Sequence, residues 1–387
     1  TFDAMFTLVH ESHDSPAARA AISRAAAWAL SCRNADGGFG HYPGSTSDAD
    51  AIYFQVGTLV MAGVLKPADP LPHDPHLLSW GHLMPVVKTR PRAPRLSLVL
   101  PGWVAAVAFS PAGDRLATAS ADKVARIFDS QTGRELTACK GHDDVVAAVQ
   151  FHPGGNLLAT GSYDHTSGIW DVRGGKLLHR LVGDKGAVMA VAFSPDQTTL
   201  ATAGIDQTVK LWDVATGMMK TTLTGHKSWV NSVAFRSDMA WLASGSSDGT
   251  IRIWSPKSTT PIHTLDVTNT EIRAIAISHD GAHLVAGLRY GKVKLWTTHD
   301  WQELLSLSGH GDMCAVAFSP DGKHFATSEG DWNRGGTIKI RDVASGEPVA
   351  RYHHTGEIMS LAFSPDGKTI AAAAADKTVR LWNVVKD

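Results

Sequence analysis

Phe128, Trp170, Trp212, Trp254 and Trp296 follow one another at intervals of 42 residues. Arg341 stands 45 positions further on, and Trp382 another 41 beyond it. A period of that length restricts the chain to a repeat architecture, in which each unit buries its apolar face against its neighbours. The text around the anchors repeats with them. "VAFSPAGDRLATASADKVARIFD" (107–129) returns as "VAFSPDQTTLATAGIDQTVKLWD" (191–213), "VAFRSDMAWLASGSSDGTIRIWS" (233–255) and "LAFSPDGKTIAAAAADKTVRLWN" (361–383).

Each unit reads as four strands. "VAAVAF" and "VNSVAF" have the length and apolar character of a strand. "SPDG" is a turn, because Pro and Gly supply the dihedrals a turn needs. "ATAS" or "ASGS" is a second strand of small residues, and "VKLW" or "IRIW" a third after a tight turn. A more polar fourth strand leads into "GH" at 141–142, 225–226 and 309–310. A four-stranded unit of this period is the blade of a radial propeller, and the anchors count seven blades. After Trp382 only "NVVKD" remains, too short for a fourth strand, whereas "RLSLVL" (95–100) precedes the first full unit. This orphan strand is expected to pair into the last blade and close the ring, which removes an exposed sheet edge.

The motifs "GH", the Asp of the tight turn, and "WD" at Trp170–Asp171 and Trp212–Asp213 make residues 95–387 resemble the WD-repeat β-propellers. The resemblance implies a mainly β, seven-bladed propeller. It also implies a tetrad of His, Ser or Thr, Asp and Trp within a blade. Two blades match that tetrad in full: His142, Ser162, Asp164 and Trp170, and His226, Ser246, Asp248 and Trp254. Blade 3 has Asp184 in place of the His and Gly204 in place of the Ser. Blade 5 has Tyr290 in the Asp position. Blade 6 has Arg341 for Trp and an expanded turn, "EGDWNRGG" (329–336), and blade 1 has Phe128 for Trp and no His. Arg341 is read as an arginine facing solvent or a local acid in preference to a functional charge. A recurring His–Ser–Asp set is read as structural rather than as a hydrolase triad. Gly245-Ser246-Ser247-Asp248-Gly249 fits G-x-S-x-G, but in a hairpin, not in the strand–turn–helix context of a nucleophile elbow.

Loops on a rigid scaffold are where such a protein does its work. The loops before each first strand and the turns before each third strand share one rim. Its candidate partner contacts are Trp103, Asp144, Tyr163, Trp229, Arg289, Trp332 and Glu357. Trp, Tyr and Arg are the commonest interface anchors.

Residues 1–93 do not follow the repeat. Two helices are expected, over 16–33 and 48–65, the first opened by Ser15-Pro16 and the second capped by Ser47. A Pro-rich stretch and a basic linker, "KTRPRAPR" (88–95), lead into the propeller at 94–387. The helix–"GGFG"–helix pattern resembles one repeat of the prenyltransferase and squalene-cyclase α/α-toroids. The zinc-binding prenyltransferases place Asp and Cys two residues apart. Here Asp50 is followed by Ala51 and Ile52, so the thiolate ligand is absent. His10, His13, His73, His76 and His82 lack the carboxylates or cysteines that would complete a metal site, and are read as structural or solvated.

Composition bounds the partner. The chain has 36 Lys plus Arg against 37 Asp plus Glu, a net charge of −1, without the basic excess of a nucleic-acid binder. Three cysteines, Cys32, Cys139 and Cys314, form neither a disulfide framework nor a zinc cluster. No apolar run approaches the roughly 18 residues of a membrane span. The chain starts at Thr1 without a signal pattern and is read as a piece of a longer polypeptide, cytoplasmic by default. The expectation is a non-catalytic scaffold that presents a propeller face to a protein or peptide partner. It needs no cofactor, metal, nucleic acid or membrane, and an upstream helical domain of the same polypeptide is a further candidate partner. The alternative is an accessory or regulatory module of a larger isoprenoid-handling toroid enzyme.

Overall fold

The computed structural model describes residues 92–255, 258–267, 270–309, 315–331 and 335–384. The expected helices at 16–33 and 48–65, with the toroid-like loop between them, lie outside the described residues, as do Cys32, Cys314 and Trp332. The chain divides into two units, 1–90 and 91–387.

Within 91–387, seven four-stranded antiparallel sheets succeed one another. Blade 1 comprises Val104–Phe109, Arg115–Ser120, Val124–Asp129 and Glu135–Lys140. Blade 2 runs from Val146–Phe151 to Leu177–Val182, blade 3 from Val188–Phe193 to Met219–Leu223, and blade 4 from Val230–Phe235 to Pro261–Asp266. Blade 5 runs from Ile272–Ile277 to Glu303–Leu307 and blade 6 from Val316–Phe318 to Pro348–His354. Blade 7 takes Ile358–Phe363, Thr369–Ala374 and Thr378–Asn383, and its outer strand is Leu96–Val99. Leu96 faces Leu381 and Val99 faces Thr378 in antiparallel register. The first strands of successive blades meet, and that of blade 7 meets that of blade 1, so the ring is closed.

The turns form as their residues dictate. In "SPDG" of blade 6, Gly322 has φ 67°, which a glycine adopts at no steric cost, and its N–H donates to Ser319 O at 2.9 Å. Asp321 Oδ1 accepts from Ser319 Oγ at 2.5 Å and from Lys323 N at 3.1 Å, an Asx-type closure repeated at Asp366 in blade 7.

The core lies between blades, which is why the anchors recur. Trp170 packs with Ile127 and Cys139 of blade 1 as well as Val146 and Phe151 of its own blade. Trp212, Trp254, Trp296 and Trp382 are each likewise buried against the preceding blade. Phe128 joins Leu98, Val379 and Leu381 at the closure. Burial pushes the Cys139 thiol up to about 12, with Asp171 adding to it, so this buried cysteine stays a neutral apolar filler.

Candidate functional site

Two polar constructions are built on this frame: a buried network inside the blades, and an open rim. In blade 2 the Trp170 indole N–H donates to Thr160 Oγ1 at 2.8 Å. The same oxygen lies 2.7 Å from His142 Nε2, and His142 Nδ1 lies 2.7 Å from Asp164 Oδ2. A hydroxyl that accepts from the indole donates its own proton onward. Nε2 is therefore the acceptor, and Nδ1–H donates to the carboxylate. Blade 4 repeats the chain through Trp254, Ser244, His226 and Asp248, at 2.8, 2.7 and 2.9 Å.

The hydroxyls are therefore Thr160 and Ser244, not Ser162 and Ser246. Residues two apart on a strand share a face, and both positions carry a small hydroxyl. Only the earlier one sits within reach of the indole. In blade 2, a Cβ on Gly168 would meet Trp170 Nε1 at 2.4 Å, so the missing side chain makes room for the ring. Ser162 and Ser246 instead close the loops, accepting from Asp164 N and Asp248 N at 3.1 Å and donating to Asp144 O and Ser228 O at 3.2 Å. Ser246 ends a strand and is followed by the hairpin to Thr250–Trp254.

The aspartates hold two loops at once. Asp164 Oδ1 accepts from Thr166 N at 2.9 Å and Oδ2 from Asp143 N at 2.9 Å. Burial works to raise its pKa, but bonds from Thr166, Asp143 and His142 outweigh it and hold it at about 2. His142 and His226 are pushed below the usual imidazole range by burial, against the pull of their carboxylates.

The rim is formed where these loops come together. Trp103 O accepts from Ala121 N at 2.9 Å, Val145 O from Tyr163 N at 2.9 Å, Trp229 O from Ser247 N at 2.8 Å and Glu271 O from Arg289 N at 2.9 Å. Each bond clamps the segment before a first strand to the turn before a third strand, so side chains projecting from either stand on a fixed base. Trp229 is 48% exposed and Tyr290 56% exposed. Trp103 and Tyr163 are half-buried and Asp144 is exposed. Burial, then the Asp144 charge, raises the Tyr163 phenol, which stays protonated and able to donate. Arg289 Nη1 reaches Glu271 Oε1 at 3.0 Å, Arg273 Nη2 reaches Glu271 Oε2 at 3.0 Å, and the Arg289 guanidinium lies 5.1 Å from the Tyr290 ring centroid. Glu357 does not belong to the open surface: it is 2% exposed, with its carbonyl taken by Ala375 N at 2.9 Å. Glu271 and Arg273 join the rim cluster although the motif reading passed over them, and Tyr290, noted there only as standing in the Asp position of blade 5, joins it too. The 42-residue register, which sets Glu271 opposite Trp229, would have found the first of them.

Residues 187–386, more than half of the chain, match the family described as the IFT122 first beta-propeller. Residues 95–129 and 133–171 match the WD domain, G-beta repeat. The chain belongs to the WD40-repeat β-propellers, in the IFT122 first beta-propeller family. No curated protein matches it.

The WD40 ring completes its departing tetrads in more than one way. In blades 1 and 3, which lack the His, a cation on the third strand pairs with the acid of the turn. In blade 1, Arg126 reaches Asp122 at 2.6 Å. In blade 3, Lys210 bonds Asp184 at 2.7 Å and also Asp206, and the Trp212 indole donates to Thr202 at 2.9 Å, not at the Gly204 position. Burial raises the Asp184 carboxyl despite Lys210, while the bonds of Asp206 from Lys210 and Thr208 overcome burial and lower it. In blade 6, Arg341 is 8% exposed rather than solvent-facing. Its Nε points at Thr327 Oγ1 at 3.4 Å, as an indole would, and its Nη2 lies 3.5 Å from Glu329, which Lys339 also bonds at 2.7 Å. In blade 7, where Ala372 offers no hydroxyl, the Trp382 indole donates to Arg92 O at 3.0 Å. Among the described residues no group of His, Cys, Asp and Glu could hold a metal ion, and no helix is long and apolar enough to cross a membrane.

Proposed function

We propose that this WD40 propeller is a non-catalytic scaffold that holds a protein or peptide partner on the rim carrying Trp103, Asp144, Tyr163, Trp229 and Arg289. The observation that carries the reading is Trp229: a large aromatic side chain, 48% exposed, on a segment clamped by its own backbone bond. Covering such a residue releases apolar surface from water at little entropic cost, because its base is already ordered. Elsewhere on the same rim, Tyr163, Tyr290 and the Arg289–Glu271–Arg273 cluster supply the polar contacts that set register. The non-catalytic reading is supported by the state of the hydroxyl–His–Asp chains. Thr160 and Ser244 are 0% exposed and already hold an indole, so neither oxygen is available to a substrate.

The test is photo-crosslinking capture from source lysate with the parent chain and a Trp229→Ala, Arg289→Ala variant of matched stability. Proteins captured by the parent and lost from the variant are the expected result. The same proteins captured equally by both would overturn the rim as the site.

A further inference from the structure

The end of the ring opposite the aromatic rim carries a cavity at the junction of blades 6 and 7. It encloses about 420 Å³. Ile340, Val349, Ala350, Phe363 and Val384 form an apolar wall, and Asp321 and Asp366 come from the two "SPDG" turns that border it. The volume falls in the range of about 300–1,000 Å³ found for ligand pockets.

The cavity lies between the outer strand of one blade and the turns of the next. In most blades a turn joins the third strand to the outer strand, and its glycine lies against the outer strand of the preceding blade. Gly133 lies over Leu96 and Leu98, Gly175 over Thr137 and Ala138, Gly217 over His179, and Gly346 over Leu305. Between blades 4 and 5, Trp301 does the same work, stacked on His263 at 5.1 Å and 5.5 Å from Trp241. In blade 7 the outer strand is Leu96–Val99, supplied from ahead of the first blade and not from the chain after Thr378–Asn383. The cavity lies beside Val349 and Ala350 of blade 6 and Val384, which follows the third strand of blade 7.

Its charge selects the occupant. Asp321 and Asp366 each satisfy their turn through Oδ1 alone, and among the described residues no hydrogen bond reaches either Oδ2. In Asp321 burial works upward, and the bonds from Ser319 and Lys323 outweigh it. In Asp366 the bonds from Ser364 and Lys368 hold the carboxyl below the usual range. His324, 3.8 Å from Asp321, lines the wall; the charges of Lys323 and Lys368, which lie outside it, act on Asp321 and Asp366, and among the described residues no Lys or Arg lines the cavity.

We propose that this cavity is a second docking site, separate from the rim, for a peptide segment that inserts one apolar side chain and sets an adjacent Lys or Arg against Asp321 and Asp366. The long stem of such a cation covers apolar wall while its head stays at the carboxylates. A propeller with both sites engaged would hold two partners on opposite ends.

The test is fluorescence anisotropy of the full chain with labelled heptapeptides carrying a central Leu, Met, Ile or Phe between two Lys or Arg, against counterparts with Glu in the flanking positions. At least one cationic peptide is expected to bind about tenfold or more tighter than its acidic counterpart. Asp321→Asn with Asp366→Asn keeps the turn acceptors and is expected to weaken binding by about tenfold. Val349→Trp fills the cavity and is expected to abolish binding, whereas Trp229→Ala leaves it unchanged. No saturable binding below about 1 mM across the panel would overturn the proposal. So would equal binding of the acidic peptides, or persistence in the folded Val349→Trp variant. Loss in Trp229→Ala would move the peptide to the rim.

Discussion

At the scale of the residue, one hydroxyl position separates a satisfied blade from a strained one. Ser244 holds both the Trp254 indole and His226, so Ser244→Ala leaves two buried polar groups without a partner. We expect a loss of about 2–4 kcal/mol by urea unfolding, against about 1 kcal/mol for Ser246→Ala, whose partners are backbone groups of part-buried loops. Thr118 is the opposite case. It keeps the hydroxyl of the repeat, but Phe128 has no indole N–H and blade 1 has no His, and among the described residues its buried Oγ1 has no hydrogen-bond partner. Thr118→Val is therefore expected to stabilise by about 1 kcal/mol. A sequence shows that a strand such as "TGS" carries two hydroxyls on one face. It does not show which of them the indole reaches, because that depends on the register between strands, where Leu158 faces Trp170 and Thr160 faces Gly168. Burial of Glu357 was hidden for the same kind of reason: its chain position matches that of exposed Trp229, and only the folded ring distinguishes them.

At the scale of the blade, the histidines make stability depend on pH. His354 is held down at about 4, first by burial and with Arg380 opposing the charge, against the pull of Asp376. The folded blade prefers neutral imidazole, so the unfolded chain takes up the proton first. Stability is full above about pH 6.5 and falls as pH drops toward 4, by up to about 3 kcal/mol for this group. Thermal unfolding at pH 7, 6 and 5 should show the decline, and His354→Gln should flatten it. In blade 3, Lys210→Met would leave Asp184 and Asp206 buried together without a cation. A cost of about 3–5 kcal/mol is expected, largely recovered by adding Asp184→Asn. The strands themselves were legible because Trp, the "SPDG" turns and small-residue strands recur in register. The cation substitutions were not, since Arg126, Lys210 and Lys339 reach their acids only across a folded hairpin.

At the scale of the whole molecule, seven blades could be counted from the anchors, and the cavity could not. It lies between two blades, with Ile340, Val349 and Ala350 of blade 6 facing Phe363 and Val384 of blade 7, and only the folded ring brings those residues together. The borrowed outer strand of blade 7, Leu96–Val99, contributes a full ladder to Thr378–Asn383 and the buried Leu98 to the blade 7–blade 1 core. Deleting residues 96–99 is expected to lower the apparent Tm by roughly 10 °C and to promote aggregation through the freed edge of Thr378–Asn383, both measurable by scanning fluorimetry with light scattering.

The borrowed strand also sets a clock. Arg92, just ahead of it, and Trp382 are 290 positions apart, yet the indole N–H of one bonds the carbonyl of the other. On a ribosome adding about 5–20 residues per second, the strand emerges roughly 15–60 s before its partner exists. During that interval every completed blade adds to an open arc whose first edge is unpaired, and Thr378–Asn383 latches the ring when it emerges. Premature termination anywhere in blade 7 would therefore release an arc with two bare edges, a substrate for quality control rather than a slightly shortened propeller.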